Sequence, residues 1–144
     1  MKKFVAQWNT YIVYGLLAFF CDSLVNRTSK ISPNMKNTAY FPCELIDTGF
    51  DYRIGIESKN LTRFIPLFEQ QGIRPNGKSW EQLVRFLVHT NIPNMSHVID
   101  YESDNKGMET SLRSKKDQLK IATLIHHSCK DTRQFQRLLQ EISF

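Results

Sequence analysis

Four acidic residues crowd one short stretch of this chain: Asp100, Glu102, Asp104 and Glu109. The first three alternate, and alternate side chains of an extended strand share a face. Three readings fit them: a carboxylate site for a hard cation, a solvated cluster that caps a turn, or a negative patch that meets a basic partner. His126-His127 is a second candidate. Adjacent residues on a helix diverge by about 100°, so one metal ion suits the pair poorly, and no HExxH spacing surrounds them. Cys129 could act as a nucleophile only beside a placed base and oxyanion donors. It falls at an apolar helical position, where a buried, inert thiol is expected. Gly77-Lys78-Ser79 imitates the end of a phosphate loop, but the upstream glycine spacing of that loop is missing. GxSxG and GxGxxG are absent too. No catalytic set, cofactor motif or metal site is expected, and the chain reads as a binding protein rather than an enzyme.

The elements that must position these groups alternate in type. Phe50, Tyr52, Ile54 and Ile56 interleave with Asp51, Arg53, Gly55 and Glu57, the pattern of a half-buried strand. Residues 39–46 form a second strand candidate, joined to it through Asp47-Thr48-Gly49. Pro42 offers no ladder donor, which places that strand at an edge or on a bulge. Leu61, Phe64, Ile65 and Phe68 make a helical stripe, capped by Asn60 or Thr62, with Pro66 in or near the first turn. Gly72 supplies the left-handed residue that ends this helix, so that Ile73 folds back on Phe68. Asn76-Gly77 is then a turn that tolerates positive φ. Ser79 is predicted to cap the next helix, with Gln82 completing a capping box. Trp80, Leu83, Val84, Leu87 and Val88 are its buried stripe; Phe86 lies off it, and Pro93 ends the helix.

Residues 98–101 and 108–112 form a second hairpin candidate around residues 103–107. Ser114, with Asp117 three residues on, caps a helix whose apolar face is Ile121, Leu124, Ile125 and Cys129. Asp131 or Thr132 caps the last helix, striped by Phe135, Leu138, Leu139 and Ile142. The order is strand, strand, helix, helix, twice over. Segregated hairpins and helices predict an α+β fold, an antiparallel sheet from two hairpins packed against about four helices.

A chain of 144 residues, 41% hydrophobic and 23% charged, suits one globular domain with a real core. The net charge is +5, but most of it lies in residues 1–34. The remainder is nearly balanced, with no Arg/Lys block interleaved with aromatics, so no nucleic-acid partner is expected. Cys21, Cys43 and Cys129 match no zinc spacing and fit a reducing compartment; one disulfide with a thiol left over is the other arrangement. Residues 1–34 stand apart from the domain at 35–144. Lys2-Lys3 precede a short apolar run from Tyr11 to Cys21, and Ser32-Pro33-Asn34 reads as a linker. This segment is an apolar helix packed on the domain or on a membrane surface, an export or anchor signal, or sequence upstream of a start at Met35. The domain itself is expected in the cytoplasm.

The run Phe68-Glu69-Gln70-Gln71-Gly72-Ile73-Arg74-Pro75-Asn76-Gly77-Lys78-Ser79-Trp80-Glu81 resembles the central motif of the immunity protein 51 family of bacterial polymorphic-toxin and contact-dependent inhibition systems. That motif is a helix ending in Phe-Glu-x-x-Gly, then Asn-Gly, then Trp-Glu opening a helix. Ile99-Asp100-Tyr101-Glu102, leading to Gly107-Met108, resembles the family's Asp-x-Glu segment. The likeness covers about residues 41–144. It departs at Pro75, where the family has glycine, at Glu109, where an aromatic often follows the methionine, and in a longer acidic hairpin. The resemblance implies a protein that binds a cognate toxin domain, often a nuclease, and blocks its active surface without chemistry of its own. Nucleases carry basic clefts for phosphates, so Asp100, Glu102, Asp104 and Glu109 are the expected toxin-facing residues. Gly72, Asn76, Gly77, Ser79 and Trp80 are expected to be structural.

Overall fold

The computed structural model describes residues 38–142 and 144; the expectations for residues 1–34 and Cys21 lie outside them. Two hairpins build the sheet. Strands β1 (Glu44–Asp47) and β2 (Tyr52–Glu57) form the first, and β3 (Asp100–Ser103) and β4 (Gly107–Leu112) the second. The strands run antiparallel in the order β1-β2-β4-β3, so β2 and β4 join the hairpins at the centre. Helices α1 (Ile65–Gln70) and α2 (Gly77–Asn91) follow the first hairpin, and α3 (Lys115–Lys130) and α4 (Thr132–Glu141) the second. The predicted α+β order, hairpin and helix pair twice over, is the observed one.

Alternation explains which face of the sheet is covered. Ile54, Ile56, Met108, Thr110 and Leu112 point inward and are buried, against α2 and α3. Trp80, Leu83, Val84, Leu87 and Val88 are all buried, as their helical spacing predicted. Trp80 meets Phe64, Phe68 and Phe135 with ring centroids 5.4, 5.3 and 5.8 Å away. Such tilted and edge-on aromatic pairs contribute about 0.5–1.5 kcal/mol each beyond area burial. Gln118, buried on α3, donates from Nε2 to the carbonyls of Ile46 and Arg53, at 3.0 and 2.6 Å. A buried amide thus ties α3 to the first hairpin.

Several local expectations shift. The first strand begins at Glu44, not residue 39, because Thr38–Tyr40 turn as a 3-10 helix; it is an edge strand, as Pro42 suggested. Phe50 is not the first inward residue of β2. It sits in the hairpin turn and is 99% exposed, because β2 starts only at Tyr52. Helix α1 is short, starts at Ile65 and has no side-chain cap, so neither Asn60 nor Thr62 serves. Leu67 takes a buried place while Ile65 is half-buried. Pro66 lies in the first turn. Gly72 has φ +71°, with its N–H on the Glu69 carbonyl and the Ile73 N–H on that of Phe68. These are the two bonds of a Schellman ending. Asp131, rather than Thr132, caps α4, its Oδ1 accepting from Arg133 and Gln134. Phe86 is half-buried.

The corner between α1 and α2 differs most. Asn76, in extended backbone, caps α2, its Oδ1 accepting from the Ser79 N–H at 3.0 Å. Ser79 is therefore not the cap. Its Oγ donates back to the Arg74 carbonyl at 2.5 Å. Both residues are cap formers three positions apart, and only one can precede the helix; the extended conformation of Asn76 decides it. Gly77 has no positive φ. It is glycine because a Cβ there would lie 1.8 Å from the Gly107 carbonyl oxygen.

Candidate functional site

The outward face of the sheet is uncovered among the described residues. Register makes it acidic. Glu44 pairs with Gly55, Gly55 with Glu109, and Glu109 with Glu102, so one row across all four strands carries three carboxylates and a glycine. The next row is Ile46, Arg53, Ser111 and Asp100. Gly55 lacks a side chain to fill the middle of the first row, and a groove of about 510 Å³ opens there, lined by Glu44, Ile46, Glu57, Glu102 and Glu109 among others. A second hollow of about 400 Å³ lies between Asp51, His97, Val98, Asp100, Ser111 and Arg113.

The charges on this face are unevenly satisfied. Arg53 bridges two acids, reaching Asp51 at 3.0 Å and Glu109 at 2.8 Å. Hydrogen bonding from Thr48, then the Arg53 guanidinium, holds the Asp51 carboxyl below its ordinary range against some desolvation. Lys59 lies 3.6 Å from Glu57. Among the described residues no cation lies within ion-pair distance of Glu44, Asp100 or Glu102. Glu102 stands directly opposite Glu109, a like-charge cross-strand pair that disfavours the sheet. Arg53 offsets part of that repulsion through Glu109, while Glu102 keeps its charge without an ion-pair partner among the described residues.

The four expected acidic residues thus divide. Asp100, Glu102 and Glu109 share the open face. Asp104 closes the β3–β4 turn at the groove's end, its Oδ1 accepting from the N–H groups of Lys106 at 2.7 Å and Gly107 at 2.9 Å. Those two bonds hold its carboxyl below the ordinary range. Glu44, Asp51, Arg53 and Glu57 belong to the same surface and were not singled out from the sequence. Their polar alternation was visible, but the β2–β4 pairing that sets them beside the second hairpin is a contact between residues fifty or more positions apart.

The structural motif residues act on this face from behind. The Gly77 N–H donates to the Asp104 carbonyl at 3.0 Å. Ser103 Oγ donates to Glu81, and Arg85 pairs with Glu81 at 2.7 Å while its guanidinium lies 4.0 Å from the Tyr101 ring centroid. Partial burial pushes Glu81 upward, but hydrogen bonds from Ser103 and Arg85 outweigh it and hold the carboxyl below its usual value. The start of α2 therefore clamps the acidic hairpin. Gly72 ends α1, and Trp80 anchors the clamp in the core.

The other candidates take structural places. His126 Nδ1 lies 2.8 Å from the Phe41 carbonyl, and His127 is exposed. Burial pushes the Cys129 thiol up to about 12 and the Cys43 thiol higher still, so both stay protonated near neutral pH. The Ser79 N–H is occupied by Asn76, which leaves no open phosphate cradle around Lys78-Ser79. Among the described residues no group of His, Cys, Asp and Glu could hold a metal ion, and no helix is long and apolar enough to cross a membrane.

Comparison with curated proteins and with solved structures gives no match to this chain. The family model for immunity protein 51 matches residues 43–143. That span holds both hairpins, all four helices, the Phe68-to-Glu81 corner and the acidic face. A family model that spans the sheet and the helices together shows that the chain belongs to the immunity protein 51 family.

Proposed function

We propose that this protein neutralises a cognate toxin domain by laying its uncovered sheet face over the toxin's active surface. The toxin in this reading is a nuclease, part of a polymorphic-toxin or contact-dependent inhibition system, met in the cytoplasm of the producing cell or its siblings. A nuclease binds phosphates in a basic cleft, the complement of the face built by Glu44, Asp100, Glu102 and Glu109. The observation that carries this reading is the cross-sheet row of Glu44, Glu109 and Glu102, whose like charges oppose one another in the absence of a partner. Complementary charge speeds encounter and fixes register. The bound sheet then excludes substrate from the cleft, with no reaction at this chain. Asp104 shapes the turn through its Oδ1 and adds its exposed charge to the same surface.

The test co-expresses the toxin-like domain encoded beside this chain with wild type or with the triple variant Glu44→Lys, Asp100→Lys, Glu102→Lys. These three side chains hold no ion pair among the described residues, so folding should survive the change. Wild type should rescue growth, and the variant should lose at least about a hundredfold in affinity at low salt. No complex with wild type would overturn the toxin reading. Unchanged affinity of the variant at low salt would overturn the assignment of this face.

A further inference from the structure

The acidic face ends at a feature that charge does not explain. Phe50 is 99% exposed at the tip of the β1–β2 hairpin. Its side chain contributes nothing to the core. The turn that carries it is nevertheless heavily tied. Asp47 Oδ1 accepts from the Gly49 N–H at 2.9 Å, and the Thr48 N–H reaches the Asp51 carbonyl at 3.1 Å. Thr48 Oγ1 accepts from the N–H groups of Phe50 and Asp51, at 3.3 and 3.0 Å. Gly49 takes the left-handed conformation, φ +83°, which a β-carbon disfavours. The tip is thus built to hold one backbone shape, with the aromatic ring pointing into water.

The surroundings extend the patch. Asp51, next in sequence, lines the hollow that also contains Asp100, Arg113 and Val98. Val98 is itself 49% exposed. The hollow therefore has an apolar side chain at its wall, a carboxylate shared with the acidic face, and an aromatic one residue beyond its edge. Interfaces are enriched in aromatic side chains, and their binding energy concentrates in a few rigid anchors seated in pockets of the partner. A turn whose backbone is already held in one shape loses less conformational freedom on binding than a mobile loop would.

We infer that Phe50 is the apolar anchor of the toxin interface, inserting into a depression beside the basic surface that the acidic sheet face covers. This rests on the proposed function and adds a division of labour to it. The carboxylates of the open face govern approach, and Phe50 governs retention. The partner is accordingly a basic protein domain with an apolar pocket at the rim of its charged cleft.

The division is read kinetically, using a catalytically inactive form of the toxin-like domain encoded beside this chain as probe. Phe50→Ser should raise the dissociation rate about thirtyfold with an association rate within about threefold of wild type. Phe50→Trp should keep binding close to wild type. Glu102→Lys should instead slow association and flatten its dependence on salt. Because Phe50 has no core contact, the urea midpoint of Phe50→Ser should match wild type, which separates lost contact from lost fold. Phe50→Ser affinity within twofold of wild type would overturn the anchor while leaving the toxin reading intact. So would a change in self-association, measured by light scattering, with toxin binding unaltered. Failure of wild type to bind the probe would overturn both.

Discussion

Replacing Gly77 with alanine should destabilise the domain by about 1–3 kcal/mol, although the same change in an ordinary helix stabilises it by about 1 kcal/mol. The reason is a contact between backbones. A Cβ at residue 77 would meet the Gly107 carbonyl oxygen at 1.8 Å, its carbonyl carbon at 2.3 Å and the Asp104 carbonyl oxygen at 2.5 Å. None of these atoms is the end of a flexible side chain. The start of α2 must withdraw from the β3–β4 turn by roughly 1.5 Å to reach ordinary van der Waals distance. That withdrawal stretches the Gly77-to-Asp104 hydrogen bond, 3.0 Å in the native fold, whose net contribution is about 1 kcal/mol. Overpacking of this kind adds about 1–3 kcal/mol, and the gain in helix propensity offsets part of the total. For a domain of this size the cost lowers the melting temperature by roughly 4–20 °C. Urea denaturation of the full chain measures it, with Gly72→Ala alongside. Gly72 has φ +71° and nothing within 4 Å of an added Cβ, so its substitution should cost only the left-handed backbone penalty, about 1–2 kcal/mol. A Gly77→Ala protein as stable as wild type, or more so, would refute the close-approach argument and return this glycine to being a simple turn residue.

Three further outcomes follow from other parts of the structure. Glu102→Lys removes the like-charge opposition to Glu109 and should stabilise the free protein by about 0.2–1 kcal/mol while weakening toxin binding; a loss of stability in urea would contradict the reading of that row. Thr110 Oγ1 is buried without a hydrogen-bond partner among the described residues, so Thr110→Val should stabilise by about 1 kcal/mol, and a lower urea midpoint would show that the hydroxyl has a partner after all. The carboxyls of Asp51, Glu81 and Asp104 are all held below their ordinary values in the fold. Their stabilisation is therefore complete above the unfolded-state values near pH 4 and drains as pH falls through the lower folded-state values. The urea midpoint should drop between pH 5 and pH 3, and a midpoint that is flat or rising over that range would contradict the shifts.

The elements were legible wherever local physics sufficed. Helical spacing marked Trp80, Leu83, Val84, Leu87 and Val88 as one buried stripe, and all five are buried. Gly72 and Ser114 end and begin helices because backbone conformation and capping depend on near neighbours. The misread positions sit where two local signals competed. Asn76 and Ser79 are both good caps, and Phe50 extends an alternation that the strand itself does not continue. Sequence order cannot rank such signals, because the choice rests on which backbone conformation the corner and the turn finally adopt.

The chain's own residues determined that this is an α+β domain of hairpins and helix pairs, since periodicity and turn residues are local properties. Tertiary structure alone decided three things. The β2–β4 pairing, which sets Gly55 between Glu44 and Glu109, turned scattered acids into one face. The approach of α2 to the β3–β4 turn explained Gly77 and tied the family's central corner to the acidic hairpin. The late start of β2 at Tyr52 left Phe50 in solvent. The first two depend on which backbones meet across the fold, and the energy of such meetings resides in no single stretch of sequence; the third depends on how tightly the turn closes on itself.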